Sequence, residues 1–232
     1  MYCRYVKRLQ DIVLSFLAIV ILSPVFAVTA LLVRGKLGSP VIFKQKRPGK
    51  DNRIFTLYKF RTMRDQRDGN GKLLPDSERL TSFGKKLRST SLDELPELFN
   101  ILKGDMSIVG PRPLLIKDMV FFDEEQMKRQ TVYPGLSGLA QINGRNNILW
   151  EDKLEYDLQY IQNITFLGDW KIILLTLLKA FKRDGIATDG MDTAEDLGDY
   201  LLRERKIDEG YYQEKIKKYL ELVDVSSVDV IC

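Results

Sequence analysis

The stretch from Ile12 to Val33 reads IVLSFLAIVILSPVFAVTALLV, 22 positions without a charge. A straight helix of that length, rising about 1.5 Å per residue, covers roughly 33 Å, enough to cross a hydrocarbon core. Two features oppose a simple crossing. Arg4, Lys7 and Arg8 precede the run and Arg34 and Lys36 follow it, whereas a spanning helix keeps its basic flank on one side only. Ser23-Pro24 sits at the centre, where proline removes a backbone donor and crowds the preceding turn. A bend there returns the chain to its entry face, and Ser23 is placed to hydrogen-bond a carbonyl freed by the break. The alternatives are an ordinary span with a mild kink and a signal peptide. No small-residue cleavage site follows the run, and it is long for a signal sequence.

A second membrane candidate runs from Phe166 to Arg183. Trp170, Ile173, Leu174, Leu177, Leu178 and Phe181 fall on one helical face, with Lys171, Lys179 and Lys182 opposite. That pattern suits an interfacial helix with its apolar side in the acyl boundary and tryptophan at headgroup depth. A helix packed on a soluble core has the same pattern.

Charge divides the chain. Residues 1–188 hold 30 Lys and Arg against 20 Asp and Glu, and residues 189–232 hold 6 against 12. A basic body suits anionic partners: nucleic acid, phosphorylated molecules or an acidic leaflet. The basic residues are not interleaved with aromatics along one element, which speaks against nucleic acid. Histidine is absent, excluding Ser-His-Asp and Cys-His catalysis and imidazole metal sites. Cys3 and Cys232 stand at opposite ends without ligand spacing, so neither a disulfide framework nor a zinc site is indicated.

Beyond the apolar run, Val41–Arg47 and Arg53–Met63 read as a hairpin around Pro48-Gly49-Lys50-Asp51-Asn52. Residues 64–78 read as a mobile loop. Helices are expected over 80–88, 92–103 (ending at Gly104), 116–130 and 150–163, with an extended turn at Pro111-Arg112-Pro113 and a glycine-rich loop at 133–146. Two amphipathic stretches, 194–205 and 211–223, make up the tail. The fold class is α+β, mostly helical with a small β-hairpin.

Asp93-Glu94 in RSTSLDELPELFN is the acidic pair best placed for chemistry. Ser91 and Glu94 have capping-box spacing, which gives these acids a purely structural explanation. A carboxylate at a helix start among cations also serves as nucleophile or metal ligand. Lys59, Arg61, Arg88, Arg112 and Arg145 lie on separate segments. Each alone is an ordinary surface charge, and together they can hold a diphosphate. Without histidine, the natural metal is Mg²⁺, held by a carboxylate and phosphate oxygens.

The strings SPV, PVIFKQKRPG, FTLYKFRTM, LRSTSLDELPELFNILKGDMSIVGPRP and PGLSGLAQINGR, followed by Tyr156-Asp157, closely resemble the bacterial sugar transferases, the monotopic phosphoglycosyl transferases. The likeness covers residues 1–188. It implies a small monotopic form with three parts: a re-entrant membrane helix at 1–36, broken at Ser23 and Pro24; a catalytic domain at 37–188 with its interfacial helix near 166–183; and an acidic helical tail at 189–232 outside the shared domain. The implied reaction moves a sugar 1-phosphate from a UDP-sugar to polyprenol phosphate, with Mg²⁺, releasing UMP at the cytoplasmic face of the inner membrane as the first membrane step of a surface glycan. By the same resemblance, Asp93 is nucleophile and metal ligand. Glu94 assists as a base or by orienting the lipid phosphate. Lys59, Arg88 and Arg112 contact phosphates, Pro111 and Pro113 shape the nucleotide site, and Arg145 and Asp157 are assigned to the substrate site. The tail packs on the body, meets a partner or forms a homodimer. The rival reading is a non-enzymatic adaptor whose basic face binds anionic lipid.

Overall fold

A computed structural model of the chain describes residues 2–144, 148–182 and 195–222. The apolar run forms two helices, α1 (Lys7–Ile21) and α2 (Ser23–Leu37), bent by 64°. Pro24 has no N–H for the carbonyl of Val20, four residues back, and the Ser23 hydroxyl donates to that carbonyl at 2.9 Å. The break therefore leaves no orphan at its sharpest point. Among the described residues no single helix is long and apolar enough to cross a membrane; the bent pair together meets that test.

The pair is inside out by the standards of a protein in water. Asp11, Ser15 and Thr29 are buried, while Phe16, Val20, Ile21, Val28 and Leu31 are exposed. Polar side chains at the foot of α1 fasten it to the body. Arg8 donates to the carbonyls of Ile101 (2.6 Å) and Leu102 (3.0 Å). Lys7 donates to Val109 O (2.9 Å) and to Asp169 (2.5 Å). Tyr2 and Tyr160 also donate to Asp169, at 2.6 and 2.9 Å. Asp169 is fully buried, a placement that a carboxylate sustains only when paired and hydrogen-bonded on both oxygens.

Strands β1 (Ile42–Pro48) and β2 (Ile54–Phe60) form the expected antiparallel hairpin, in a register that pairs Ile42 with Phe60 and Pro48 with Ile54. Its turn closes through Gly49 N to Arg53 O at 2.9 Å. The segment 64–78 is more ordered than a bare loop: Leu74 N donates to Gln66 O, Asp68 N to Lys72 O, and Arg67 bridges to Leu73. Short α3 (Asp76–Arg79) leads into α4 (Ser82–Ser89), and α5 (Glu97–Lys103) ends at Gly104 in the left-handed region. Asn100 on α5 is fully buried and ties this helix to β2, accepting from Tyr58 N (3.0 Å) and donating to Thr56 O (2.7 Å).

β3 (Ser107–Val109) pairs in parallel with β4 (Gly135–Ser137), so the expected glycine-rich loop at 133–146 contributes a strand to a second small sheet. The expected helix over 116–130 is instead α6 (Ile116–Met119), α7 (Glu124–Met127) and a 3₁₀ turn at Lys128–Thr131. Asp123 explains the break: its carboxylate caps a fresh start by accepting from Gln126 N at 2.8 Å. α8 (Leu139–Asn143), α9 (Trp150–Gln162) and α10 (Phe166–Lys182) complete the body. On α10, Trp170, Leu174, Leu177 and Leu178 face outward while Asp169 and Ile172 are buried, so the apolar stripe is not what packs this helix on the body.

The tail folds back. α11 (Leu197–Arg203) buries Leu197 and Tyr200 in one core with Leu114, Phe121, Phe122, Trp150 and Leu154. α12 (Glu209–Leu222) lies beside it, with Tyr212 stacked on Phe121 at 5.6 Å between ring centres.

Candidate active site

The acidic pair sits on a 3₁₀ turn, Leu92–Glu94, and not in the first turn of a continuous helix. Pro96 is the reason. It has no N–H to return to the carbonyl of Leu92, which accepts instead from Leu95 N at 3.3 Å, and α5 starts afresh at Glu97. The capping box also fails to form, because Ser91 is left-handed (φ 54°) and its side chain caps nothing. The turn is wedged against α2, with Leu92 and Leu95 packed on the cluster of Val33, Leu37, Phe60 and Leu87.

Glu94 is shared by two cations. Its Oε1 accepts from Lys59 Nζ at 2.7 Å and from Arg112 Nη2 at 2.5 Å. Burial favours the neutral acid, but Arg112 and Lys59 outweigh that penalty and hold the Glu94 carboxyl well below its ordinary value. The neighbouring Glu97 is almost wholly buried, with Lys59 Nζ 3.1 Å away and without hydrogen-bond alignment. Burial, only partly offset by Lys59, pushes it up to about 7. Asp93 is also buried, and among the described residues no hydrogen bond engages its carboxyl. Burial and the charge of Glu94 raise it to about 6, against the pull of Lys59, Arg88 and Arg112. A carboxylate without a donor among the described residues and in the field of three cations is arranged to meet an electrophile that carries negative charge.

Lys59 arrives on the same face of β2 as buried Leu57, two residues earlier. Arg88 closes the last turn of α4 and donates to Thr62 Oγ1 at 3.1 Å. Arg61 does not join this group; it is buried and donates to the carbonyls of Met63 and Ser39.

Arg112 projects from a segment fixed on several sides. Pro111 and Pro113 are buried, and Pro111 O accepts from Gly135 N at 2.9 Å. A Cβ on Gly135 would lie 2.1 Å from Gly110 N, so only glycine lets β4 approach this closely. Arg129 donates to Arg112 O at 2.6 Å and pairs with Asp157 at 2.7 Å. Asp157 is thus buried behind the Arg112 backbone, where Arg129 engages one of its oxygens, so it stands beside the expected substrate site through Arg129 and Arg112. Arg145 lies outside the described residues. Glu97 and Arg129 did not stand out in the sequence. Glu97 is one helical turn from Glu94, the single available signal for it.

Among the described residues no group of three or more acidic side chains is arranged to hold a metal. An ion here would take oxygen from the unengaged Asp93 carboxyl and otherwise from a substrate's phosphates, a donor set that fits Mg²⁺.

A family model described as bacterial sugar transferase matches residues 2–183. The chain belongs to the bacterial sugar transferase family. Within that family, an uncharacterized sugar transferase, EpsL, of Bacillus subtilis is 50% identical over 189 residues, 82% of this chain and 94% of the relative. UDP-glucose:undecaprenyl-phosphate glucose-1-phosphate transferase of Klebsiella pneumoniae is 42% identical over 186 residues, and the galactosyl transferase CpsE of Streptococcus agalactiae is 40% identical over 185. These two matches cover 75% and 74% of this chain but only 40% and 41% of the longer relatives. The family match ends before α11, so the tail helices lie outside the shared region.

The buried acids set a pH dependence of stability. Between the ordinary value of 4.5 and about 7, folded Glu97 keeps a proton that the unfolded chain has released. Rising pH through that window therefore erodes stability, and Asp93 acts in the same sense up to about 6. Glu94 acts oppositely: its contribution is full above the ordinary value of 4.5 and is lost progressively as pH falls below it. Glu97→Gln is expected to flatten the fall of the melting midpoint across this window in thermal scans; an unchanged slope contradicts the assignment.

Proposed function

We propose that this chain transfers a sugar 1-phosphate from a UDP-sugar to polyprenol phosphate at a membrane surface, through a covalent intermediate on Asp93. The observation that carries the reading is the buried Asp93 carboxyl, free of protein hydrogen bonds among the described residues, next to Glu94 with its Lys59 and Arg112 and within the electrostatic reach of Arg88. Family membership and the name of the Klebsiella pneumoniae relative, a UDP-glucose:undecaprenyl-phosphate glucose-1-phosphate transferase, support the donor and acceptor classes.

In the first step an Asp93 oxygen bonds to the phosphorus bearing the sugar, and the bridge oxygen leaves with UMP. In the second, a phosphate oxygen of the lipid attacks the same phosphorus. The Asp93–phosphorus bond breaks, the carboxylate is regenerated and a polyprenyl diphosphate sugar departs. Lys59, Arg88 and Arg112 neutralise phosphate charge, which is most of what phosphoryl transfer requires of a protein. Glu94, ionised and gripped by two cations, is a weak base, and its role is to hold Lys59 and Arg112 beside Asp93. Mg²⁺, when held by Asp93 and the donor's phosphates, would supply further neutralisation of the phosphate charge that builds up as UMP leaves.

The inside-out helix pair supports a re-entrant membrane mode, with the apolar outer faces of α1, α2 and α10 in the acyl boundary. Moving a long lipid out of the bilayer costs about 0.8 kcal/mol per CH₂, so its phosphate must be met at the interface. The Asp93 turn packs on the C-terminal end of α2, which suits that meeting.

Asp93→Asn is expected to lower UMP release by on the order of 10⁴-fold or more, the scale of losing a covalent nucleophile, while membrane association is retained. Near-normal turnover sinks the nucleophile assignment. For topology, single-cysteine proteins carrying only exposed Cys3 or only Lys44→Cys are treated with an impermeant maleimide. Both sites should be protected in intact cells and labelled after lysis, whereas labelling of Cys3 in intact cells means that the chain crosses.

A further inference from the structure

The tail helix α11 lies outside the matched family region, yet it reaches the segment that carries Arg112 by two independent routes. The first runs through Asp118, which is almost fully buried. One of its oxygens accepts from Leu115 N (3.0 Å), three residues beyond Arg112, and the other accepts from Leu197 N (2.9 Å) at the start of α11. A carboxylate that ties two backbone donors this way joins their segments at a fixed spacing. Lys117 reinforces the joint, donating to Asp196 at 2.9 Å and to Asp199 at 3.1 Å.

The second route runs through α9. Asp157 on α9 holds Arg129, which holds the Arg112 carbonyl. The other end of α9 is backed by the tail: Trp150 Nε1 donates to Glu195 O at 3.2 Å, and Leu154 packs with Leu197 and Tyr200. Leu114, two residues from Arg112, is buried in the same cluster. The fit is close, since a Cβ on Gly198 would stand 2.4 Å from the Phe121 ring.

We infer that α11 is a clamp that positions Arg112 toward the donor's phosphates, so that Lys117, Asp118, Leu197 and Gly198 are positioning residues for the reaction. The inference rests on the reading that Arg112 contacts the donor. The clamp acts on where the guanidinium stands, and so on how the donor's phosphates are held.

The test is a double-mutant cycle on the full-length chain, with donor KM and kcat read from UMP release. Gly198→Ala, whose methyl meets Phe121, is expected to raise KM for the UDP-sugar about tenfold, with any change in kcat smaller than the one Arg112→Ala causes. Arg112→Ala is expected to raise KM at least as much, and Gly198→Ala added to it should then cost nothing further. If the glycine variant does not fold, as judged by its melting transition, Lys117→Met replaces it, with Lys117→Arg expected to restore donor KM. A normal KM in the clamp variant, or a loss that simply adds to that of Arg112→Ala, overturns the clamp. An Arg112→Ala enzyme with unchanged donor KM overturns the Arg112 reading itself, and the clamp with it.

Discussion

One carboxylate oxygen, Oε1 of Glu94, accepts from Lys59 on β2 and from Arg112 on the proline-bounded segment, and most of the site's geometry follows from that contact. Three separate chain segments are drawn to within a few ångströms of one another by a single shared acceptor. Charge-assisted bonds of this kind are shorter and stronger than neutral ones, and in a buried setting losing one partner leaves an uncompensated charge. Because Glu94 takes up the two cations, the adjacent Asp93 is left without a protein partner among the described residues, buried and raised to about 6. Two neighbouring carboxyls are thereby pushed apart in pKa, Glu94 fixed as an anion and Asp93 available for bond formation.

The surroundings serve that cluster. Asn100 ties α5 to β2, Arg8 bonds the carbonyls at the far end of α5, and Lys7 meets Asp169 of α10. The foot of the apolar helix pair is therefore fastened to the same short helix that begins just after the acidic pair. Leu92 and Leu95 press the reactive turn against α2. A rigid path links the outward apolar face to the carboxylate, which suits an enzyme whose proposed acceptor arrives embedded in lipid while its proposed donor arrives from water.

The sequence made the strongest local signals readable. Pro24 predicted a break and Ser23 its repair, and both are present down to the accepting carbonyl. The hairpin followed from its turn residues, and the nearness of Lys59, Arg88 and Arg112 to Asp93 followed from family resemblance more than from spacing. What stayed hidden was set by long-range contact. β3 and β4 are three residues each, too short for any periodicity, and exist because two glycines let backbones touch. Ser91 and Glu94 have capping-box spacing, but Ser91 is left-handed and its side chain caps nothing. The buried partnership of Asp157 with Arg129 is made across 28 positions of sequence, which no local spacing signals. The tail's place against the Arg112 segment depends on Asp118 and Gly198, and neither announces a partner in the sequence.

The central claim is that Asp93 forms a bond to phosphorus. The direct measurement is the intact mass of the purified full-length protein mixed with a UDP-sugar and Mg²⁺ but no polyprenol phosphate, followed by peptide mapping. A mass gain equal to one sugar phosphate, located on the peptide that contains Asp93 and discharged on adding polyprenol phosphate, is the predicted result. UMP release on lipid addition with no adduct at any time, under conditions quenched faster than turnover, would contradict it and favour direct transfer from donor to lipid.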